Sequence, residues 1–311
     1  MAGDNTRYDV PFRAPALPYP PQVYDQESFE EFNKVLRIYF NQLDNALRNA
    51  MAVQEPYELQ VSKGQIAGAS AVYKFGFNPD VDGTEETVWG TGGNYPYLTS
   101  ASTVYIRSSS TADSNGGTGA KTVTVEGVDG SYNAKSVTVN MNGQTQVQVG
   151  DASSWLRVNR IFVATSGSGG TAAGDIYVAN SGVSSGVPTG VTYAHVIQGD
   201  NQSQIAAYTV PAGYSLYLDD VTFTSAISLA NKHVTASFVT RDFGSNTFRT
   251  RIIQTMQSAL LVLPLTYPLK VEEKTDVYEW TEYHGQVHCV QWAERIEFQY
   301  TTADAVDKSE E

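Results

Sequence analysis

The sequence predicts a mainly β protein: an N-terminal extended arm and a single α-helix, followed by two antiparallel β-sandwich or jelly-roll-like units. Three observations carry this. Apolar residues recur at alternating spacings of three and four between Phe29 and Ala50, the period of a helix. From Pro56 onward the period changes to two, in runs rich in Val, Thr and Tyr. Those runs are parted by Asn-Gly, Asp-Gly and Gly/Ser clusters, whose access to positive φ suits tight hairpins.

The first element is the arm, residues 1–24. Pro11, Pro15, Pro18, Pro20 and Pro21 fix φ and remove donors, which keeps the arm extended and out of sheet interiors. Phe12, Tyr19 and Tyr24 give such a chain something to bury along a neighbouring subunit; a disordered tail is the alternative. The helix follows, within 25–55. Asp25 or Ser28 can cap it, and Glu27, Glu30 and Glu31 stand in the first turn, where the helix dipole favours them. Phe29, Phe32, Leu36, Tyr39, Leu43, Ala46 and Ala50 form a heptad seam, widened by Val35, Phe40 and Leu47. A lone helix of this length is marginal in water, so the seam must be covered, by the chain's own β-domain or by other copies of the helix.

The β-domains are placed at 56–190 and 191–301, with an acidic tail at 302–311. Lys121–Val125, Ser136–Asn140 and Gln144–Val149 alternate, and Arg160–Val163 and Asp175–Val178 read as short buried strands. In the second domain Tyr208 opens a strand ending in a Pro-Gly turn, Leu216–Leu218 begins the next, and His233–Val239 alternates. The last strand lies within Gln286–Tyr300.

Composition narrows the function. Lys and Arg total 20 against 33 Asp and Glu, a net charge of −13, with no basic run to displace counterions from nucleic acid. The one cysteine, Cys289, excludes an internal disulfide. The opening residues have neither a basic nor an apolar stretch of a secretory signal, and Ala259–Leu265, the longest apolar run, is far short of a bilayer span.

His284 and His288 would stand about 13 Å apart on a strand, too far to share a zinc ion held at about 2 Å. Asn78, Asp80, Asp82 and Gly83 mimic the start of a calcium loop, but Trp89 occupies the place of the closing acid. Gly167, Gly169 and Ala172 nearly match a dinucleotide fingerprint, yet a strand follows where a helix is needed. Asp113, Asp129, Asp175, Asp219 and Asp220 sit beside turns, where Asp commonly caps its own backbone. The expectation is therefore no catalytic, cofactor-binding or metal site. Trp89, Tyr95, Tyr97 and Trp155, near predicted turns, are candidates for stacking on a glycan, with ordinary core aromatics as the competing reading.

The run from Pro18 to Asp25, followed by Phe32 to Asp44, resembles the N-terminal segment of structural proteins of tailed bacteriophages. The Gly/Thr/Ser-rich stretch Val104–Val149 and the Tyr208–Gly213 strand-turn are similar to β-domains of such virions. The resemblance implies a virion component made in the bacterial cytoplasm without a signal peptide, homotrimeric or of higher symmetry, joined to other virion proteins. It implies a neck or tail appendage of the fibre-base type, or else a capsid decoration protein. Phe12, Tyr19, Tyr24, Phe29, Phe32, Leu36, Tyr39, Phe40, Leu43 and Leu47 would form the assembly interface. A host surface glycan is a further expected partner; nucleic acid and membrane insertion are not.

Overall fold

A computed structural model describes residue 23 and residues 25–52, 55–79, 81, 83–180, 182–226, 232–257, 259–283 and 294–299. The arm with Phe12, Tyr19 and Tyr24, the tail 302–311, and His284, His288 and Cys289 lie outside the described residues. The chain forms two compact units, Met1–Lys63 and Gly64–Glu311. The first carries α1 (Gln26–Ala52) and a short α2 (Tyr57–Ser62). Neither is long and apolar enough to cross a membrane.

The second unit is antiparallel β-structure throughout. In chain order it carries β1 (Ala69–Lys74), β2 (Glu86–Thr87), β3 (Tyr105–Ser108), β4 (Ala120–Val128), β5 (Ala134–Asn140) and β6 (Val147–Gln148). There follow β7 (Arg157–Ser166), β8 (Ile176–Ala179), β9 (Val183–Ser184), β10 (Val187–Pro188), β11 (Thr192–Val196) and β12 (Ala207–Thr209). The last six are β13 (Ser215–Ser225), β14 (Val234–Arg241), β15 (Arg249–Met256), β16 (Ala259–Val271), β17 (Asp276–Tyr283) and β18 (Glu294–Gln299).

Apart from the two-stranded β9–β10 hairpin, these strands sort into two sandwiches. The sheets β11-β8-β3-β6 and β5-β4-β7 close over one core, in which Ile106, Val178 and Val196 face Val123, Val125 and Ile161 around Trp155. Alternation explains this: along β3 and β8 every second side chain points inward. The sheets β1-β18-β13-β16 and β12-β17-β14-β15 close over a second core of Leu216, Leu218, Val221 and Phe223 against Val234, Ala236, Phe238 and Val277.

The division does not fall at residue 190 as chain order suggests. β1 pairs with β18 and β2 with β17, so both belong to the second sandwich. β11 lies beyond 190 yet pairs with β8 in the first. One sandwich is thus inserted into the chain of the other between β2 and β12, and we call them the inserted and the parent sandwich. Strand pairing across some two hundred residues leaves no local mark in the sequence, which is why the boundary was misplaced.

The alternating runs Lys121–Val125 and Ser136–Asn140 are present within β4 and β5, which pair as an antiparallel hairpin. The expected strand Gln144–Val149 shrinks to the two-residue β6. Ala259–Leu265 is the start of β16, at the edge of its sheet, where Pro264 and Pro268 can be tolerated because one side of the strand needs no ladder donors.

Candidate assembly helix and inter-sandwich junction

Helix α1 begins at Asp25, whose carboxylate accepts from the Ser28 amide (3.2 Å) and the Ser28 hydroxyl (2.7 Å). These bonds, the hydroxyl's foremost, hold the Asp25 carboxyl below its ordinary pKa. Of the two candidate caps the acid is the one used. No residue from Gln26 to Leu47 is buried. Phe32, Val35, Leu36, Tyr39 and Leu43 are half-buried, while Phe29 is 55%, Phe40 58% and Leu47 50% exposed. The apolar stripe read from the sequence is therefore present as one open face.

Where the sandwiches meet, the order is reversed: charge is buried. Asp276, at the start of β17, accepts from Arg157 Nε and Nη2, each at 3.0 Å, in a bidentate pair. Arg241 donates to the same carboxylate through Nε (3.1 Å) and Nη2, and the Thr209 hydroxyl donates at 2.6 Å. Arg157 Nη1 donates to the carbonyls of Leu98 and Leu156. Arg157 is on β7 of the inserted sandwich, while Asp276, Arg241 and Thr209 are on the parent, so the network spans the two. Burial opposes the Arg157 charge, but the Asp276 carboxylate more than offsets it and the guanidinium pKa stands above its ordinary value. Both guanidinium groups lie over the Tyr97 ring, at 4.9 and 4.5 Å. Asn159 adds a reciprocal amide pair with the Thr209 backbone. Close approach here needs Gly127: a Cβ there would stand 2.0 Å from the Arg157 carbonyl.

Beside this network lies a cleft of about 600 Å³. Its walls are the β4–β5 turn with Tyr132, the β14–β15 turn with Phe243 and Asn246, the β16–β17 turn with Lys274, and the segment Tyr97–Ala101. Tyr132 and Phe243 meet edge to face at 5.3 Å, and Lys274 Nζ stands 5.1 Å from the Phe243 ring centre. Tyr132 and Lys274 both hold positive φ, +65° and +60°, without being glycine.

Of the two readings of the candidate stacking residues, the structure matches core aromatics. Trp89, Tyr95 and Trp155 are buried. Trp89 Nε1 donates to the Gly93 carbonyl, the Tyr95 hydroxyl to that of Val158, and Trp155 Nε1 to that of Val149. Tyr97 packs between Tyr95 and Tyr278 beneath the two arginines. Their ring faces are turned to protein, so these four do not form a stacking platform; nearness to a turn does not fix where a ring points. Asp219 and Asp220 lie within β13 and not beside a turn, whereas Asp129, Asp113 and Asp175 do serve the backbone. Asp129 accepts from the Ser131 and Asn133 amides. Asp113 is fully buried and accepts from the Ser108 hydroxyl and the amides of Ala120, Ala173 and Gly174, joining two Gly-rich loops. Asp175 accepts from the Gln198 amide and lies 3.4 Å from His195, which stacks on Tyr177. Sequence reasoning missed Arg157, Arg241 and Asp276. An ion pair between residues 119 apart has no spacing by which to be found.

Together these features define a class: a protein of two nested β-sandwiches, preceded by an amphipathic helix with an open apolar face. No protein-family model matches the chain, and no curated protein matches it. Among solved structures it is similar to infectious bursal disease virus, Gx strain, at 9% identity over 75% of this chain and 72% of that chain, with a TM-score of 0.23. It is also similar to the infectious bursal disease virus VP2 subviral particle, at 11% identity over the same shares, with a TM-score of 0.20. A Bacillus thuringiensis Cry1Da tryptic core variant matches at 10% identity over 68% of this chain and 53% of that chain, with a TM-score of 0.14. TM-scores this low establish neither a common fold nor a common function.

Proposed function

We propose that this chain is a non-enzymatic structural component of a phage virion, one that joins copies of itself through helix α1 and the N-terminal arm. The observation that carries the reading is the open face of α1, on which no described side chain is buried. Burying one such Leu or Phe stabilises by about 1.5–3 kcal/mol. Phe32, Leu36, Tyr39 and Leu43, repeated on every helix of a small bundle, are enough to offset the cost of association. The 3–4 spacing is that of helices packed side by side, and three copies give the wide seam that Val35, Phe40 and Leu47 imply. An arm that orders on assembly covers further surface at modest net affinity.

The virion assignment is supported by the resemblance of Pro18–Asp44 to phage structural proteins. A single helix ahead of a compact β-body suits the base of a neck or tail appendage, with the sandwiches projecting and the helix docked among other virion proteins. Light scattering tests the assembly. The intact chain is expected to be oligomeric, and a chain lacking residues 1–63 is expected to stay folded, since the β-unit has its own cores, and to be monomeric.

A further inference from the structure

We infer that the cleft between the two sandwiches binds an acidic saccharide, with Phe243 as the stacking face and Arg241 and Lys274 as partners of the sugar carboxylate. This rests on the β-unit alone and stands apart from the assembly reading. The cleft's volume, about 600 Å³, is that of a small-ligand site, and it lies at a junction of domains, where such sites concentrate. With Tyr132 and Lys274 packed against its ring, Phe243 is still 59% exposed, and an open aromatic residue in a polar cleft suits the C–H face of a pyranose. Ser245, Asn246, Thr99 and Ser100 line the same space and offer hydroxyl and amide groups to sugar hydroxyls.

The charges favour one carboxylate. Arg157, Arg241 and Lys274 line the cleft against Asp242 and Asp276, a positive balance on a chain whose net charge is −13. Asp276 is engaged by both arginines, and Asp242 by Arg249 and Arg251. Arg241 gives Nε and Nη2 to Asp276, which leaves Nη1 without a partner among the described residues. A polyphosphate would meet Asp242 and Asp276 as well as these cations, whereas a single carboxylate meets Arg241 Nη1 and Lys274 Nζ, the latter held only loosely by Glu273 at 3.9 Å.

The walls are also built to stay in place. Tyr132 and Lys274 hold a backbone conformation that side chains rarely adopt, and such residues collect at binding sites where the surroundings fix them. Here the Ala212 amide donates to the Tyr132 carbonyl and the Lys274 amide to that of Val210, both at 2.8 Å. A cleft fixed in advance loses little freedom on binding.

Titration calorimetry and saturation-transfer NMR on the full chain, with glucuronic-acid oligosaccharides and glucose oligosaccharides of equal length, test the inference. The acidic series is expected to bind and the neutral one to bind more weakly. Phe243→Ala, in an exposed turn, should weaken binding of both series about tenfold. Lys274→Gly, which accepts the same φ, should weaken only the acidic series, about fivefold. Ile253→Ala, on the exposed face of β15, should change neither, and circular dichroism confirms that each variant is folded. No binding at millimolar sugar, equal binding of the two series, or binding that survives both cleft substitutions would overturn the proposal.

Discussion

Helix α1 and the junction between the sandwiches treat their side chains in opposite ways. On the helix, Phe29, Phe40 and Leu47 stand at least half exposed and no neighbour is buried. At the junction, Arg157 and Asp276 are almost wholly removed from solvent, their charges held by each other, by Arg241 and by Thr209. In the proposed function, the apolar surface left open on α1 is kept for a partner. Buried charge that is fully paired is a device for fixing geometry, since any displacement leaves it unpaired in a medium that punishes this. Under the proposed function the difference separates two roles along one chain, recruitment at the amino end and rigidity between the sandwiches.

The largest effect should come from breaking the polar side of that comparison. Asp276→Ala strands Arg157 without its bidentate partner, and urea denaturation of the β-unit should show a loss of about 3–5 kcal/mol. A loss under about 1 kcal/mol would mean that the junction is wet and its charges weakly coupled. The helix side of the comparison should respond quite differently, through association and not through stability of the sandwiches.

How far the sequence could be read follows from the same contrast. The helix was legible because everything that makes it is local: an acid at the cap, a 3–4 stripe, no interrupting proline. The strands of the β4–β5 hairpin were legible for the same reason, through two alternating runs, though the positive φ of the turn falls on Tyr132 and not on Gly130. The nesting of the sandwiches was not, because β1 finds β18 only after an entire second sandwich has intervened. For the aromatic residues beside turns the sequence left two readings open, stacking platform or core, and Trp155, which is wholly buried, shows why: a residue's place in the chain does not give its ring's direction. The cleft escaped for both reasons, since Tyr132, Phe243 and Lys274 come from three separate turns.

The smallest expected effect sharpens the helix side. Asp25 is held below its ordinary pKa by Ser28, so its cap contributes stability above the unfolded value, about 3.9, and loses it as pH falls through the depressed folded value. Helicity followed by circular dichroism should therefore fall slightly below pH about 4. Asp25→Asn, which can still cap but does not titrate, should remove that part of the acid response.

The central claim is that the stripe on α1 joins molecules, and light scattering of the full chain carrying Leu36→Glu with Leu43→Glu tests it most directly. The account predicts a defined oligomer for the unaltered chain and a monomer with intact β-structure for the double variant. An unaltered chain that is monomeric at every concentration, or a double variant that keeps the unaltered mass, would contradict it.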